Sequence, residues 1–302
     1  MNETPARPAP PLLLPRLAAI AENYDVILCD VWGVIHNGVA HFPKAVEALT
    51  NFRRRGGKVI LITNAPRPSE KVRAFLDQLA VPRESYDAIV SSGDVTVSLI
   101  LERKDQALAH IGPAYDRSLF EVAERQTGCK LRFAKLAEAD FVVCTGLDDA
   151  DREGPQDYRA RLELMRERAL TMICANPDIV VEVGSRLVYC AGALAEAYEA
   201  MGGSVIQAGK PYAPIYSRAL AEAARSFGMK PVDRQRVLAI GDAMHTDIKG
   251  GHAMGFATLF VTSGIHRAQL SAETPERAAA ALHQFLEGTG FAPSFATAEL
   301  AW

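Results

Sequence analysis

The stretch that decides the fold runs from residue 25 to residue 38 and reads DVILCDVWGVIHNG. Its first five residues form a short, largely apolar run that predicts a buried strand, and Asp30 follows directly. A second apolar run, Lys58 to Thr63 (KVILIT), comes after a helix pattern that stops at Gly56-Gly57. Apolar strands separated by helices are typical of parallel strands covered on both faces. The sequence therefore predicts a doubly wound α/β sheet.

The same alternation of strands and helices continues along the chain. Further strands are predicted at Ala88 to Ser91, Phe141 to Cys144, Thr171 to Cys174, Val237 to Ile240 and Ala257 to Val261. Helices are predicted at Ala45 to Arg55, Ser69 to Leu79, Tyr158 to Arg168, Asp247 to Met254 and Thr274 to Glu287. The Pro-rich residues 1–15 are expected to form a loose arm.

Composition excludes several classes of protein. With 49% hydrophobic and 23% charged residues, the 302-residue chain can fold around a sizeable core. The net charge of −3 argues against nucleic-acid and membrane-surface partners, because a protein that binds either of them needs a concentrated positive field. The five cysteines form no CxxC pair and lie mostly in apolar runs, so reduced thiols and a cytoplasmic location are expected. No stretch is apolar enough to cross a bilayer.

Polar side chains collect where the predicted strands end. In open α/β sheets this edge is the one that binds ligands. The candidates there are Asp30, Thr63, Asn64, Asp242 with Asp247 five residues on, and Lys210 in the turn QAGKP (207–211). Carboxylates from two strand ends suit a hard cation such as Mg²⁺. Thr63, Asn64 and nearby backbone amides can hold phosphoryl oxygens, and Lys210 offers them a positive charge.

Four motifs carry a resemblance to a known family. They are DVWGVIHNG (Asp30 to Gly38), LITNAPR (Leu61 to Arg67), GKPYAPIY (Gly209 to Tyr216) and GDAMHTDIKGG (Gly241 to Gly251). In this order they resemble the haloacid dehalogenase (HAD) superfamily. CANPD (174–178), GSR (184–186) and AGAL (191–194) further resemble its class IIA, NagD-like branch. The resemblance covers roughly residues 22–268.

The resemblance implies a fold with two domains. A Rossmann-like catalytic core would comprise residues 16–87 and 206–302, with an α/β cap domain inserted at residues 88–205. Cap-mediated dimers are common in this branch, so a homodimer through the cap is the assembly that the resemblance suggests.

The resemblance also implies roles for individual residues. Asp30 matches the nucleophile that forms an aspartyl-phosphate, and it matches a Mg²⁺ ligand together with Asp242 and the backbone carbonyl of Trp32. Asp247 matches the second acid of the metal motif, reached through water. Thr63 matches the phosphate-binding hydroxyl, with the Asn64 amide beside it.

Two further parts of the site are implied in the same way. Lys210 matches the lysine that offsets charge on the nucleophile and the phosphoryl group. Residues 176–178 fall where class IIA caps present a substrate-specificity loop, so Asn176 and Asp178 are expected to contact substrate. Arg67 has two interpretations, contact with substrate or a solvated charge, and the second is the default because a charged residue that begins a helix is usually solvated.

One position departs from the family pattern. Phosphatases of this family carry a second Asp two residues after the nucleophile, as general acid and base, and here that residue is Trp32. An indole cannot exchange a proton at neutral pH. His36 titrates in the right range but lies beyond the catalytic turn.

The expected function is Mg²⁺-dependent hydrolysis of phosphorylated small molecules, with sugar phosphates or nucleotides as the leading substrates. Trp32 leaves two alternatives open. One is hydrolysis of a C–P or C–halogen bond, since HAD members with those activities also lack the second Asp. The other is a catalytically weak protein that binds phosphorylated ligands.

Overall fold

A computed structural model describes residues 10–183, 186–272, 274–287 and 289–302. The described chain divides into two compact units. The first consists of the described residues within Met1–Ile62, Asp77–Ala88 and Ala219–Trp302, and the second of those within Thr63–Leu76 and Ile89–Arg218.

Strands and helices alternate along most of the chain. The strands are β1 (Leu12–Leu13), β2 (Val26–Asp30), β3 (Lys58–Thr63), β4 (Ala88–Ser91), β5 (Ala107–Ile111), β6 (Arg132–Phe133), β7 (Phe141–Cys144), β8 (Thr171–Cys174), β9 (Val180–Val183), β10 (Arg186–Tyr189), β11 (Ser204–Gln207), β12 (Val237–Gly241), β13 (Ala257–Val261) and β14 (Phe295–Thr297). The α-helices are α1 (Pro43–Arg54), α2 (Ser69–Gln78), α3 (Ser92–Leu101), α4 (Ser118–Thr127), α5 (Arg159–Glu167), α6 (Ala191–Ala200), α7 (Ala213–Ser226), α8 (Lys249–Ala253), α9 (Arg267–Leu270) and α10 (Pro275–Glu287).

A seven-stranded sheet has the order β1-β14-β13-β12-β2-β3-β4. Strand β2 pairs in parallel with β3 on one side and with β12 on the other. The register sets Cys29 opposite Ile240, so Asp30 is level with Gly241 and the ends of the two strands coincide. Every residue of β2 and β12 is buried, as expected for central strands covered on both faces.

Helix α1 shows how the sequence produces the packing in the first unit. Pro43 stands at its first turn, where a missing N–H costs nothing. Val46, Leu49 and Phe52 recur at helical spacing and are buried. Gly57 follows the helix, and a Cβ there would lie 2.3 Å from the Phe52 ring. A glycine at this position therefore lets β3 approach the helix closely.

The second unit is built on a five-stranded parallel sheet of order β11-β8-β7-β5-β6. Alternate residues of its strands enter two different cores: Phe141 and Val143 pack with α3 and α4, whereas Val142 and Cys144 pack with α5 and α6. This alternation follows from the two-residue period of a strand. The unit also carries an antiparallel pair of strands, β9 and β10.

The predicted α/β fold is confirmed, with differences in detail. The arm expected to be loose contains β1, which pairs in parallel with β14, so the expectation is wrong for residues 12–13. Residues 1–9 lie outside the described part of the chain. The helix predicted from Asp247 is preceded by a π-helical turn, Met244–Ile248, and α8 begins only at Lys249.

The second unit is larger than the cap predicted at residues 88–205. It also takes in residues 63–76 and 206–218. Hydrogen bonds join these added segments to the rest of the unit: Asn64 bonds to Lys210 and Asp178, and the Arg218 guanidinium donates to the Ser98 hydroxyl at 2.9 Å. Among the described residues, no helix is long and apolar enough to span a membrane.

The Asp87 carboxylate joins two elements of the first unit. It accepts two hydrogen bonds from the Arg53 guanidinium, at 2.8 and 2.9 Å, and one from the Val59 backbone N–H at 2.9 Å. Burial raises the pKa of Asp87, but the hydrogen bonds from Arg53 and Val59 outweigh it and hold the pKa below its ordinary value of 3.8.

We therefore predict that Asp87→Asn lowers the free energy of unfolding by about 1–3 kcal/mol at pH 7, measured by urea denaturation. A lowered pKa in the folded state stabilises the protein above the ordinary pKa and loses its effect as pH falls through the folded value. The deficit of the variant should therefore shrink below pH 3.8. Glu163→Gln, which breaks an exposed ion pair with Arg159, should cost less than about 1 kcal/mol. An equal loss in the free energy of unfolding for both variants would contradict the stabilising role given to the hydrogen bonds of Asp87.

Candidate functional site

Three buried carboxylates converge at the end of the central strands of the first unit. Asp30 is the last residue of β2, Asp242 follows β12, and Asp247 lies in the π-helical turn after it. One oxygen from each lies within 4.8 Å of the other two, and the three residues are 6%, 4% and 3% exposed. The sequence places Asp30 and Asp242 at the same edge, and the structure brings them together with Asp247.

Backbone groups hold these carboxylates in place. The Asp242 Oδ2 atom accepts a hydrogen bond from the Ile265 N–H at 2.7 Å, and the Asp247 Oδ2 atom accepts one from the Ala243 N–H at 3.1 Å. The second bond joins residues four apart within the irregular turn. A π-helical turn is a common feature of functional sites, and here it gives Asp247 its position.

Two glycines make room for Asp242. A Cβ on Gly33 would lie 2.1 Å from its carboxylate, and a Cβ on Gly264 would lie 2.0 Å from it. Gly33 also has a φ of +83°, which residues other than glycine rarely adopt. Neither glycine is among the predicted site residues, although Gly33 lies inside the DVWGV segment.

The donor set fits a hard divalent cation. All three side chains offer carboxylate oxygens, which Mg²⁺ prefers, and carboxylates this close to one another repel unless positive charge lies nearby. Asp30, Asp242 and Asp247 are therefore the residues that could hold such an ion. The Trp32 carbonyl stays a predicted ligand.

The loop after Asp30 is organised around an aromatic pair. The Trp32 and His36 rings meet edge to face with centroids 5.0 Å apart. A Cβ on Gly38 would lie 2.6 Å from the Trp32 ring, so the loop closes against the indole. The Gly38 N–H donates to Nδ1 of His36 at 2.9 Å. Burial lowers the pKa of His36 to about 4, so the imidazole is neutral at pH 7.

A second cluster of predicted site residues lies in the second unit and centres on Asn64. Its side-chain oxygen accepts from the Lys210 N–H at 2.7 Å, and its amide donates to the Lys210 carbonyl at 3.0 Å and to the Asp178 carboxylate at 2.9 Å. A Cβ on Gly209 would lie 2.4 Å from the Asn64 oxygen. The Asn64 side chain is thus engaged with protein groups, and a phosphate contact by Asn64 would fall to its backbone N–H.

The remaining predicted residues of this cluster are buried or hydrogen-bonded within the second unit. Lys210 is buried, at 3% exposure, and Thr63 accepts a hydrogen bond from the Ala65 N–H at 3.2 Å. Asn176 accepts one from the Asp178 N–H at 3.1 Å, which shapes the 176–178 loop. The polar groups of this loop therefore hold Asn64 as well as the loop itself, and their contact with substrate stays a prediction.

Comparison with known proteins places the chain among hydrolases. The sequence matches haloacid dehalogenase-like hydrolases over residues 27–124 and HAD-hydrolase-like proteins over residues 207–287. It is similar to a hydrolase of the haloacid dehalogenase-like family from Brucella suis 1330, with 40% identity, a TM-score of 0.82 and coverage of 95% of this chain and 100% of that one.

Two further relatives are more distant. D-glycerol 3-phosphate phosphatase from Mycobacterium tuberculosis is 26% identical over 253 residues, covering 83% of this chain and 67% of the relative. NagD from Escherichia coli shares the fold with a TM-score of 0.64 at 19% identity, covering 92% of this chain and 97% of NagD.

The carboxylate cluster predicts that Mg²⁺ stabilises the folded chain. At a concentration of about a hundred times its dissociation constant, a cation that binds only the folded state adds about 2.7 kcal/mol to the free energy of unfolding. Thermal unfolding after chelation, with and without added Mg²⁺, measures this gain. Asp242→Asn should lose most of it, whereas Glu163→Gln, on an exposed helix, should keep it. An equal gain in Asp242→Asn would place the cation elsewhere.

Proposed function

The chain belongs to the haloacid dehalogenase-like hydrolase family, and on that premise we propose that it hydrolyses phosphate monoesters of small metabolites. Asp30 is the proposed nucleophile and Mg²⁺ the proposed cofactor. The observation that carries the proposal is the convergence of Asp30, Asp242 and Asp247 within 4.8 Å at the ends of adjacent strands. Hydrolysis by attack of a carboxylate needs such a nucleophile beside positive charge.

In the proposed reaction, a carboxylate oxygen of Asp30 attacks phosphorus and forms an aspartyl-phosphate. The bond from phosphorus to the ester oxygen breaks, and the leaving alkoxide takes a proton from water. Water then attacks the aspartyl-phosphate, which releases inorganic phosphate and restores the Asp30 carboxylate.

The other residues have supporting roles in this proposal. The Lys210 ammonium offsets the negative charge of the phosphoryl group, and the Thr63 hydroxyl binds a phosphoryl oxygen. Asn64 positions Lys210 through its two hydrogen bonds to the Lys210 backbone. A bound Mg²⁺, held by Asp30 and Asp242, would supply charge neutralisation at the phosphoryl oxygens, with Asp247 reached through water.

The substrate class follows from the relatives only in outline. One relative is named for D-glycerol 3-phosphate, a phosphorylated polyol. Together with the expectation from the sequence, this favours phosphorylated polyols and sugars over nucleotides. The homodimer through the predicted cap remains an expectation drawn from the family resemblance.

Turnover of a panel of phosphate monoesters, with Mg²⁺ and after chelation, tests the proposed function. We expect release of inorganic phosphate that requires Mg²⁺, and loss of at least about 10³-fold in kcat for Asp30→Asn, because the amide is not a nucleophile. Hydrolysis of phosphonates or haloacids without hydrolysis of esters would replace the proposal with cleavage of a C–P or C–halogen bond. Binding of phosphorylated ligands without turnover would identify a binding protein.

The lack of a general acid at Trp32 leads to a second prediction about this reaction. General acid catalysis contributes about 10²–10⁴-fold, and neither the indole nor the buried neutral His36 supplies a proton at pH 7. The wild type should therefore hydrolyse 4-nitrophenyl phosphate, whose leaving group is stable without a proton, far faster than an alkyl phosphate.

Trp32→Asp should raise turnover of the alkyl ester by part of that factor, with little gain on the 4-nitrophenyl ester. The gain is limited because removal of the ring leaves a cavity beside Gly38 that can misplace the new carboxylate. The measurement is the ratio of kcat/KM for the two esters in the wild type and the variant. Equal rates on both esters in the wild type would show that another group supplies the proton.

A further inference from the structure

Arg67 lies on a loop of the second unit whose backbone is held in place. The Gly93 N–H donates to the Ala65 carbonyl at 3.1 Å, and the Ser69 N–H donates to the Asp94 carboxylate at 3.0 Å. A Cβ on Gly93 would lie 2.4 Å from the Arg67 backbone, so the loop packs directly on the start of α3. The backbone position from which the Arg67 side chain extends is therefore fixed.

The Arg67 guanidinium contacts protein groups on one side and is exposed on the other. It stacks over the Tyr115 ring, 5.3 Å from the ring centroid, and its Nε lies 3.5 Å from Oδ1 of Asp116. The latter distance is that of an ion pair and is longer than a hydrogen bond. The side chain is 52% exposed, and within the described residues its guanidinium interacts with the protein through Asp116 and the Tyr115 ring. Most of its five N–H donors thus remain available.

Asp116 is an unusual partner for an exposed arginine. Its side chain is 3% exposed, and its Oδ1 atom has no hydrogen-bond partner within the described parts of the chain. Burial raises the pKa of Asp116, while Thr145 and Arg67 act in the opposite direction. A buried carboxylate beneath a half-exposed guanidinium fixes the direction of the cation and leaves one edge of it for another anion.

Arg67 is close in sequence to the proposed phosphate-binding residues. It follows Thr63 by four residues, a span of at most about 14 Å between Cα atoms, and both belong to the second unit. The side chain adds further reach. A cation at this distance from Thr63 suits an anionic group on the organic part of a small substrate whose phosphate Thr63 binds.

We propose that Arg67 is a specificity-determining residue that binds a carboxylate on the organic part of the substrate, and that Asp116 is the positioning residue for its guanidinium. The inference rests on the proposed function, because it assigns that reaction a substrate class: phosphate monoesters of small hydroxy or sugar acids. Tyr115 completes the arrangement by covering one face of the guanidinium.

A matched pair of compounds tests the role of Arg67. 3-Phosphoglycerate and glycerol 3-phosphate differ only in a carboxylate that replaces a CH₂OH group. The ratio of their dissociation constants is measured by calorimetry on the Asp30→Asn background, and the ratio of kcat/KM on proteins that keep Asp30. The wild type should favour 3-phosphoglycerate, and Arg67→Gln should reduce that preference about ten- to a hundredfold, mainly through KM.

Variants with graded changes separate recognition of the carboxylate from general effects of charge. Arg67→Lys keeps the charge but not the planar fork and should retain part of the preference. Arg159→Gln, which removes an exposed arginine of α5 in the same unit, should leave the preference as it is. An unchanged ratio in Arg67→Gln, or a wild type that favours glycerol 3-phosphate, would overturn the proposal.

A double-mutant cycle tests the positioning role of Asp116. Asp116→Asn should weaken the preference several-fold when Arg67 is present and have no further effect on it in the Arg67→Gln background. Equal effects in both backgrounds would show that Asp116 acts only on the fold. If the wild type hydrolyses no ester of the panel, 4-nitrophenyl phosphate included, the proposed function fails, while the binding ratio still decides the role of Arg67.

Discussion

Mutual repulsion among three buried carboxylates is the constraint on which the first unit depends. Two unit charges 4.8 Å apart, the upper limit of the separation of these carboxylate oxygens, repel by about 3–4 kcal/mol at an effective dielectric constant of about 20. The fold keeps Asp30, Asp242 and Asp247 together through the end of a strand and two backbone hydrogen bonds. Strand β2 places the first, the Ile265 N–H holds the second, and the π-helical turn holds the third. Stability given up in this way is usual for a site that binds a cation.

In the second unit, the hydrogen bonds of one neutral side chain, Asn64, connect the candidate site residues. Asn64 ties together three segments that are far apart in sequence: its own loop, the turn at Lys210 and the loop at Asp178. A carboxamide suits this task because it offers two donors and an acceptor in one plane. Gly209 permits the close approach. The same bonds join the segment 63–76 to the rest of its compact unit.

Local patterns predicted the features that depend on local chemistry. The strands at residues 58–63, 141–144 and 171–174 have the predicted bounds, because a short apolar run between two helix patterns is typical of a buried strand. The shared edge of Asp30 and Asp242 followed from parallel strand order. Helix α3 was missed, because its sequence SGDVTVSLIL is rich in β-branched residues. The capping box of Ser91 and Asp94 was the available signal for its start.

Contacts between residues far apart in sequence could not be predicted from local sequence patterns. The default interpretation of Arg67 as a solvated charge follows from its neighbours in sequence, and nothing near it points to Asp116. That carboxylate is buried in the short turn, residues 114–117, that precedes α4. The distinction matters for function, because groups that bind phosphate meet the same atoms in every phosphate monoester. Selection among substrates therefore depends on residues that contact the organic part, and the fixed loop that carries Arg67 offers a side chain of that kind.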